Sequence, residues 1–398
     1  MFVIGIIREG KIPEDNRVAL TPKHCQWLSK NYNCKIIVQP SRKRCFPDEA
    51  YQISGAIISE NLADCNVILG IKEVPVNDLI ENKTYLFFSH TKKEQPHNQK
   101  LMHKMVDKNI TLIDYECLEH EDGQRIIGFG FFAGVVGAHN GMMAYGIRTN
   151  AFLLPRVYKN TDYRNLIRSY FGLKLPNIKI AITGSGRVAH GVLEVMNLMD
   201  VQEVEAEEFL AKNFMYPVYV HLKGADLYIH KNKRTFSRDD FHANPHDYEC
   251  LFDAYCSNAD ILINGIYWDT TMPRLFEPEA LLQESFRIQT IADITDDKEG
   301  SIPCNLGDAS IEDPVYGVDK QNLYKTKPYL PNSIDVMAVG NLPNELPCDA
   351  SEFFGEQLIK YVLHDLITGN SEIIQRATIL EKGKLTERYN YLQSYAAH

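Results

Sequence analysis

The sequence predicts an α/β protein made of two doubly wound parallel-sheet domains with an interdomain cleft. Three observations predict it. Short apolar runs alternate with helical stretches over the first 135 residues, and a glycine turn between a strand and a helix opens a second such series at residue 179. The composition, 44% hydrophobic and 24% charged in 398 residues, is that of a globular chain long enough for two domains.

The elements follow in order. Residues 2–7, 35–38, 67–71, 85–88 and 110–113 are apolar, partly β-branched runs of strand length. Between them, 22–30, 48–54 and 96–107 carry helix-start signals or helical spacing. Residues 131–147 are the most apolar long stretch; with His139 and Asn140 at the centre and too short for a membrane span, they read as a buried, glycine-rich connecting helix. At 179–191, KIAITGSGRVAHG, the apolar Ile180, Ala181 and Ile182 lead into a tight turn and then a helix. Gly184 permits the turn, and Gly186 has no side chain to block a pyrophosphate from the helix N-terminal amides. This is the first unit of a Rossmann-like dinucleotide-binding domain.

That second series continues with 201–206, 261–264 and 287–294. Residues 209–253, polar, aromatic and irregular, read as an insertion in the nucleotide domain. Residues 315–331 read as a crossing segment, and a helix from about Ser351 to Leu366, with Ser351 as N-cap, returns to the first domain. The expected division is therefore 1–135 with 335–398 as the substrate and catalytic domain, and 136–334 as the dinucleotide domain.

A formal charge of −10 argues against nucleic acid or an anionic membrane as partner. Nine scattered cysteines form neither a CxxC pair nor a zinc-like cluster, so free thiols in a reducing compartment are expected, and no metal. The N-terminus, MFVIGIIREG, reads as a first strand and not as a signal peptide, so a cytoplasmic location is expected; oligomerisation is compatible with all of this.

In open parallel sheets, ligands sit beyond the carboxyl ends of the strands. Arg8 and Glu9 follow the first run, Lys72 and Glu73 the third, His90 the fourth, and Asp114, Tyr115 and Glu116 the fifth. Parallel pairing would gather them on one rim as a proton-transfer set, with a desolvated lysine among cations able to serve as a base. Arg17, in a loop entering a helix, suits bidentate binding of a carboxylate. Strand ends are also where solvent begins, and each residue taken singly is explained as well by that.

The residues from Asn16 to Pro22 (NRVALTP) resemble the N-terminal signature shared by alanine dehydrogenase, the transhydrogenase nucleotide-binding subunit and lysine-forming saccharopine dehydrogenase. Further stretches resemble the saccharopine branch and the lysine–2-oxoglutarate reductases: YLFFSHTKKEQ (85–95), LIDYECL (112–118), GQRIIGFGFFAG (123–134), LINGIYW (262–268) and NLPNELP (341–347). The resemblance implies reversible oxidation of saccharopine to lysine and 2-oxoglutarate through an imine. Amino-acid and 2-oxoacid substrates are implied with it.

By the same resemblance Lys72 matches the base that deprotonates the secondary amine, and His90 the acid–base group for hydration of the imine. Glu73 and Glu116 match the acids that tune the pair, Arg17 and Arg125 the carboxylate-binding arginines, and Lys93 a nearby cation. On the nucleotide side Gly184, Ser185, Gly186, Arg187 and Val188 would line the pyrophosphate. Glu205, expected at the end of the next strand, would accept the ribose hydroxyls, which favours NAD. NADP is also admitted, because Arg187 and nearby lysines can meet a phosphate. Asn264 and Gly265 would face the nicotinamide, and Asp297 matches a position near it in alanine dehydrogenase. One departure stands out: Gly340 precedes NLP where the saccharopine branch has Asp, and Glu73 or Asp297 is expected to compensate. Alanine dehydrogenases also have a small residue there, so an alanine dehydrogenase-like activity is the alternative. A non-catalytic nucleotide-binding protein is a third reading.

Overall fold

The computed structural model describes residues 1–159, 162–232, 234–369 and 371–397 and divides the chain into two compact units, Met1–Phe129 with Pro347–His398, and Gly130–Leu346. In the first unit, β1 (Phe2–Ile6), β2 (Cys34–Val38), β3 (Ile57–Ile58), β4 (Val67–Leu69), β5 (Thr84–Phe87) and β6 (Thr111–Asp114) alternate with α1 (Pro22–Asn31), α2 (Asp48–Ile53) and α3 (Gln99–Asp107). The strands lie in the order β6-β5-β4-β1-β2-β3, all parallel. Ile4, Ile6, Ile36, Val38, Ile68, Leu69, Leu86 and Phe87 are buried at their centre, as a sheet covered on both faces requires. Helix α1 starts at Pro22, whose fixed φ suits the first helical position. Its N-cap Thr21 accepts from the His24 amide at 3.3 Å, while the Thr21 amide donates to His24 Nδ1 at 3.2 Å.

The second unit opens with α4 (Gly130–Thr149), whose buried positions run all round its middle, as its composition predicts. After α5 (Tyr163–Arg168) come β7 (Lys179–Thr183), α6 (Arg187–Leu198), β8 (Gln202–Glu203), α7 (Ala206–Ala211), β9 (Val218–Leu222) and β10 (Tyr228–His230). Then follow α8 (Arg238–Ala243), β11 (Tyr248–Cys250), α9 (Asp253–Cys256), β12 (Ile261–Asn264), β13 (Thr290–Asp293), β14 (Val315–Asp319), β15 (Lys325–Thr326) and β16 (Ser333–Met337). The large sheet has the order β15-β14-β16-β13-β12-β7-β9-β8. Helices α4 and α6 cross at backbone contact. A Cβ on Gly191 would come within 2.0 Å of the Phe131 carbonyl, and one on Gly134 within 2.0 Å of the Val188 carbonyl.

Three expectations are corrected here. Residues 209–253 are not simply an insertion, because β9 lies within them and pairs in parallel with β7. Its Val218, Val220 and Leu222 are buried, and the stretch after it forms a separate two-stranded β10-β11 sheet whose Tyr228 and Tyr248, with Phe241 of α8, pack into the same core. Residues 315–331 do not cross between domains. They form β14 and β15, antiparallel to each other, with β14 antiparallel to β16, so this sheet is mixed at that edge. Finally, 201–206 gives only the two-residue β8, because the chain turns into α7 at Glu205.

The chain returns to the first unit with α10 (Pro347–Leu358), β17 (Thr378–Glu381) and β18 (Lys384–Leu385). Strand β17 pairs antiparallel with β6, so this sheet too is mixed at one edge. Ser351 is not an N-cap. It lies inside α10, where its hydroxyl donates to the Pro347 carbonyl at 2.6 Å and accepts from the Val18 amide at 2.9 Å. The signal that looks like a cap in sequence is a tie to a loop 333 residues away. Among the described residues no helix is long and apolar enough to cross a membrane.

Candidate active site

The rim of the first unit is built by consecutive neighbours. Because β6, β5, β4 and β1 lie side by side and parallel, their carboxyl ends share one edge. Lys72 and Glu73 follow β4, His90 follows β5, and Glu9 follows β1. His90 Nδ1 donates to Glu73 Oε1 at 2.6 Å, which leaves Nε2 as the ring position for proton exchange. His90 holds φ +53, a left-handed conformation that costs a non-glycine residue energy and occurs preferentially at functional sites. Lys11 Nζ reaches the other Glu73 oxygen at 3.1 Å.

Glu9 braces the Lys72 backbone. Its two oxygens accept the amides of Ile71 at 2.7 Å and Lys72 at 2.9 Å, fixing the chain where Lys72 leaves the strand. Burial, then the nearby Asp15, pushes the Glu9 carboxyl up to about 8 against the pull of those two amides. Burial also lowers the Lys72 amine, assisted by the positive charges of Arg17 and Lys11, to about 8. Burial acts to raise Glu73, but the His90 hydrogen bond and the surrounding cations outweigh it and hold the carboxylate well below its ordinary range. The result is an amine drawn down to about 8 beside a carboxylate held in its charged form.

Arg17 is buried, 3% exposed, with Nε donating to Asp15 Oδ1 at 2.9 Å and Nη2 to Asp15 Oδ2 at 2.6 Å, under the Phe129 ring at 4.2 Å. Its fork is thus engaged by an acid of its own loop. The exposed cations are Lys93 and Arg125, and Arg125 Nη2 donates to Glu116 Oε1 at 2.8 Å. Asp114, fully buried, accepts the Glu116 amide at 2.7 Å and so sets that carboxylate just past the end of β6. Glu9 is among the strand-end residues that the sequence marks, whereas Lys11 and Asp15 are not singled out there, and their only sequence signal is that both precede Arg17 in one loop.

In the second unit Gly184 has φ +109 and lies where a Cβ would meet the Gly265 carbonyl at 2.5 Å, so the turn admits only glycine. Around Gly186, the N-cap of α6, a Cβ would meet nothing within 4 Å. Open space at the amino end of a twelve-residue helix, flanked by Ser185, Arg187 and Val188, suits a dinucleotide pyrophosphate. Asn264 ends β12 and is fully buried. It donates to Asp293 and Ser301, each at 2.9 Å, and accepts from Thr183 at 2.7 Å, tying three strand ends together.

Glu205 does follow the next strand in sequence, β8, but that strand is not the one beside the glycine turn. The strand beside β7 is β9, and β8 is one strand farther out, so Glu205 caps α7 at the sheet edge. What ends the strand beside the glycine turn is His221, Leu222 and Lys223, with His221 Nε2 donating to the Gly184 carbonyl at 2.7 Å. Asp297 is exposed in the loop after β13. The carboxylates beside Gly340 are Asp296 and Asp308: a Cβ at 340 would lie 3.0 and 3.3 Å from their Oδ2 atoms. Burial, then Asp308, pushes Asp296 up to about 8. A third carboxylate at 340 would crowd these two side-chain ends and add like charge to them, a cost that the glycine avoids.

Two mixed sheets, with ionisable residues along the rim of one and a glycine turn at the end of a strand in the other, define an α/β protein with the fold of alanine dehydrogenase. Residues 5–136 match the family model described as alanine dehydrogenase/PNT, N-terminal domain. Over 98% of its length the chain is 29% identical to the mitochondrial alpha-aminoadipic semialdehyde synthase of Rattus norvegicus, covering 47% of that protein. The chain therefore spans about half the length of the curated relatives it matches first. It is 26% identical to the saccharopine dehydrogenase [NAD(+), L-lysine-forming] of Emericella nidulans, covering 95% of this chain and 96% of that one. Among solved structures it is similar to an L-alanine dehydrogenase (TM-score 0.66, 15% identity, 100% of both chains). A transhydrogenase from Sinorhizobium meliloti is also similar (TM-score 0.61, 14% identity, 96% and 98% covered).

Proposed function

We propose that this chain is an oxidoreductase acting on a CH–NH bond, a saccharopine dehydrogenase of the lysine-forming type. The first unit carries the substrate and the acid–base groups, and the second holds NAD(H), with NADP(H) also accepted. The observation that carries this reading is the Lys72–Glu73–His90 set at adjacent strand ends. Similarity to lysine-forming saccharopine dehydrogenases over nearly the whole chain supports it. The net reaction is saccharopine, NAD+ and water giving lysine, 2-oxoglutarate, NADH and a proton.

Lys72, neutral above about pH 8, takes the proton from the secondary amine and frees the nitrogen lone pair to expel hydride. A bound nicotinamide supplies the hydride acceptor. His90 Nε2 takes a proton from water as it adds to the imine carbon and returns one to nitrogen as the carbinolamine collapses. Glu73 holds the ring in that orientation from Nδ1. Arg125 and Lys93, with Arg17 deeper in the unit, supply positive charge for a substrate with three carboxylates. Glu116 orients Arg125.

The deciding experiment is a cross of NADH and NADPH against lysine, ornithine and ammonia, each with 2-oxoglutarate or pyruvate. Cofactor oxidation with lysine and 2-oxoglutarate, and reduction with saccharopine, supports the assignment; silence from both directions ends it. Oxidation with pyruvate and ammonia would instead support the alanine dehydrogenase-like reading that the small residue at Gly340 favours. Cofactor binding without turnover of any pair would favour a non-catalytic nucleotide-binding protein.

A further inference from the structure

The nine cysteines are all free thiols, and six of them are buried. Of the three that are half-exposed, Cys45 and Cys348 touch each other although 303 residues separate them. Cys348 Sγ donates to the Cys45 carbonyl at 3.5 Å, the two thiols hydrogen-bond one another, and Cys45 Sγ lies 4.0 Å from Ser351 Oγ. Both lie in the first unit, one in each of the two chain segments that compose it.

We propose that Cys45 and Cys348 form a dithiol modification site, oxidised by a peroxide or a small-molecule disulfide to an intramolecular disulfide. With hydrogen peroxide, one sulfur attacks a peroxide oxygen, breaking the O–O bond and releasing one water as it becomes a sulfenic acid. The second thiol then displaces the hydroxyl as another water, its proton leaving with it, and the S–S bond forms. Two thiols are oxidised and one peroxide is reduced to two waters. With a small disulfide the same pair exchanges through a mixed disulfide and releases two small thiols.

The surroundings give the crosslink a target. The Cys45 amide donates to the Asn16 carbonyl at 2.8 Å, and Ser351, three residues past Cys348, holds the Val18 amide. Arg17 lies between these two anchors. A disulfide would lock the loop that presents Arg17 and Asp15 from both sides and join the two segments of the unit covalently. The Cys45 thiol is pushed above its ordinary range by its hydrogen bond with Cys348 and by burial, so little of it is thiolate at neutral pH and its oxidation is slow.

The test is chemical and independent of which reaction the chain catalyses. The full chain is treated with hydrogen peroxide or oxidised glutathione, alkylated and digested without reductant. The expected result is a linked pair of peptides containing Cys45 and Cys348, and a fall from nine titratable thiols to seven in denaturant. Dithiothreitol should restore nine, and the linked form should melt at a higher temperature than the reduced one. Cys45→Ser and Cys348→Ser should each abolish the linked species and the rise in melting temperature, while Cys250→Ser leaves both. Nine thiols after treatment, a link to any other cysteine, or only sulfinic acid at Cys45 and Cys348 would overturn the proposal.

Discussion

At Lys72 loss of water, the Arg17 charge and the Lys11 charge favour the neutral amine and outweigh the opposite pull of Asp15 and Glu73. Since the oxidative direction needs that form, its rate should climb with pH and level off above about 8. Lys11→Met removes one of the opposing charges, so the same limb should move to higher pH. Lys72→Met should lower turnover by about 10²-fold or more, in line with the loss of a general base, while fluorescence titration finds nucleotide affinity intact. Wild-type turnover would remove Lys72 from the chemistry. These residues were legible in the sequence because parallel strands place successive ends together, a rule that needs no coordinates. Glu9 was legible as a strand end, but its hold on the Lys72 amide was not, and Lys11 and Asp15 escaped because their roles depend on how one loop folds back on the rim, which no spacing encodes.

Among the elements, the crossing of α4 and α6 depends on two glycines where backbone meets backbone. Gly191→Ala places a Cβ against the Phe131 carbonyl, an atom that cannot rotate away. A loss of about 1–3 kcal/mol, read by denaturant unfolding, is expected. The two strands outside β7 bear on cofactor choice. Lys223 follows β9, the strand beside the one that leads into the glycine turn, and on the proposed function this is the strand end for the ribose, so Lys223→Ala should weaken NADPH more than NADH. Glu205→Ala should leave the ratio of the two unchanged, and a shift toward NADPH would return Glu205 to the site. Strand β9 was missed in the sequence because its histidine and tyrosine disguise an apolar run of five. The antiparallel edges were missed for a different reason: strand direction is set by topology, not by the run itself.

For the molecule as a whole, the proposed function requires a chain of net charge −10 to recruit an anionic substrate to a small group of cations. That contrast makes capture electrostatic, and KM for saccharopine should rise between low and high salt with kcat nearly unchanged. The first sheet takes its strands from both ends of the sequence, β6 finding its partner β17 only after the second unit has been traversed. The order of synthesis follows from this. On the ribosome the second unit has all its residues while the first still lacks its closing strand, so the later-made body can mature first. The earlier-made one must wait, with an edge exposed, for the last fifty or so residues to emerge.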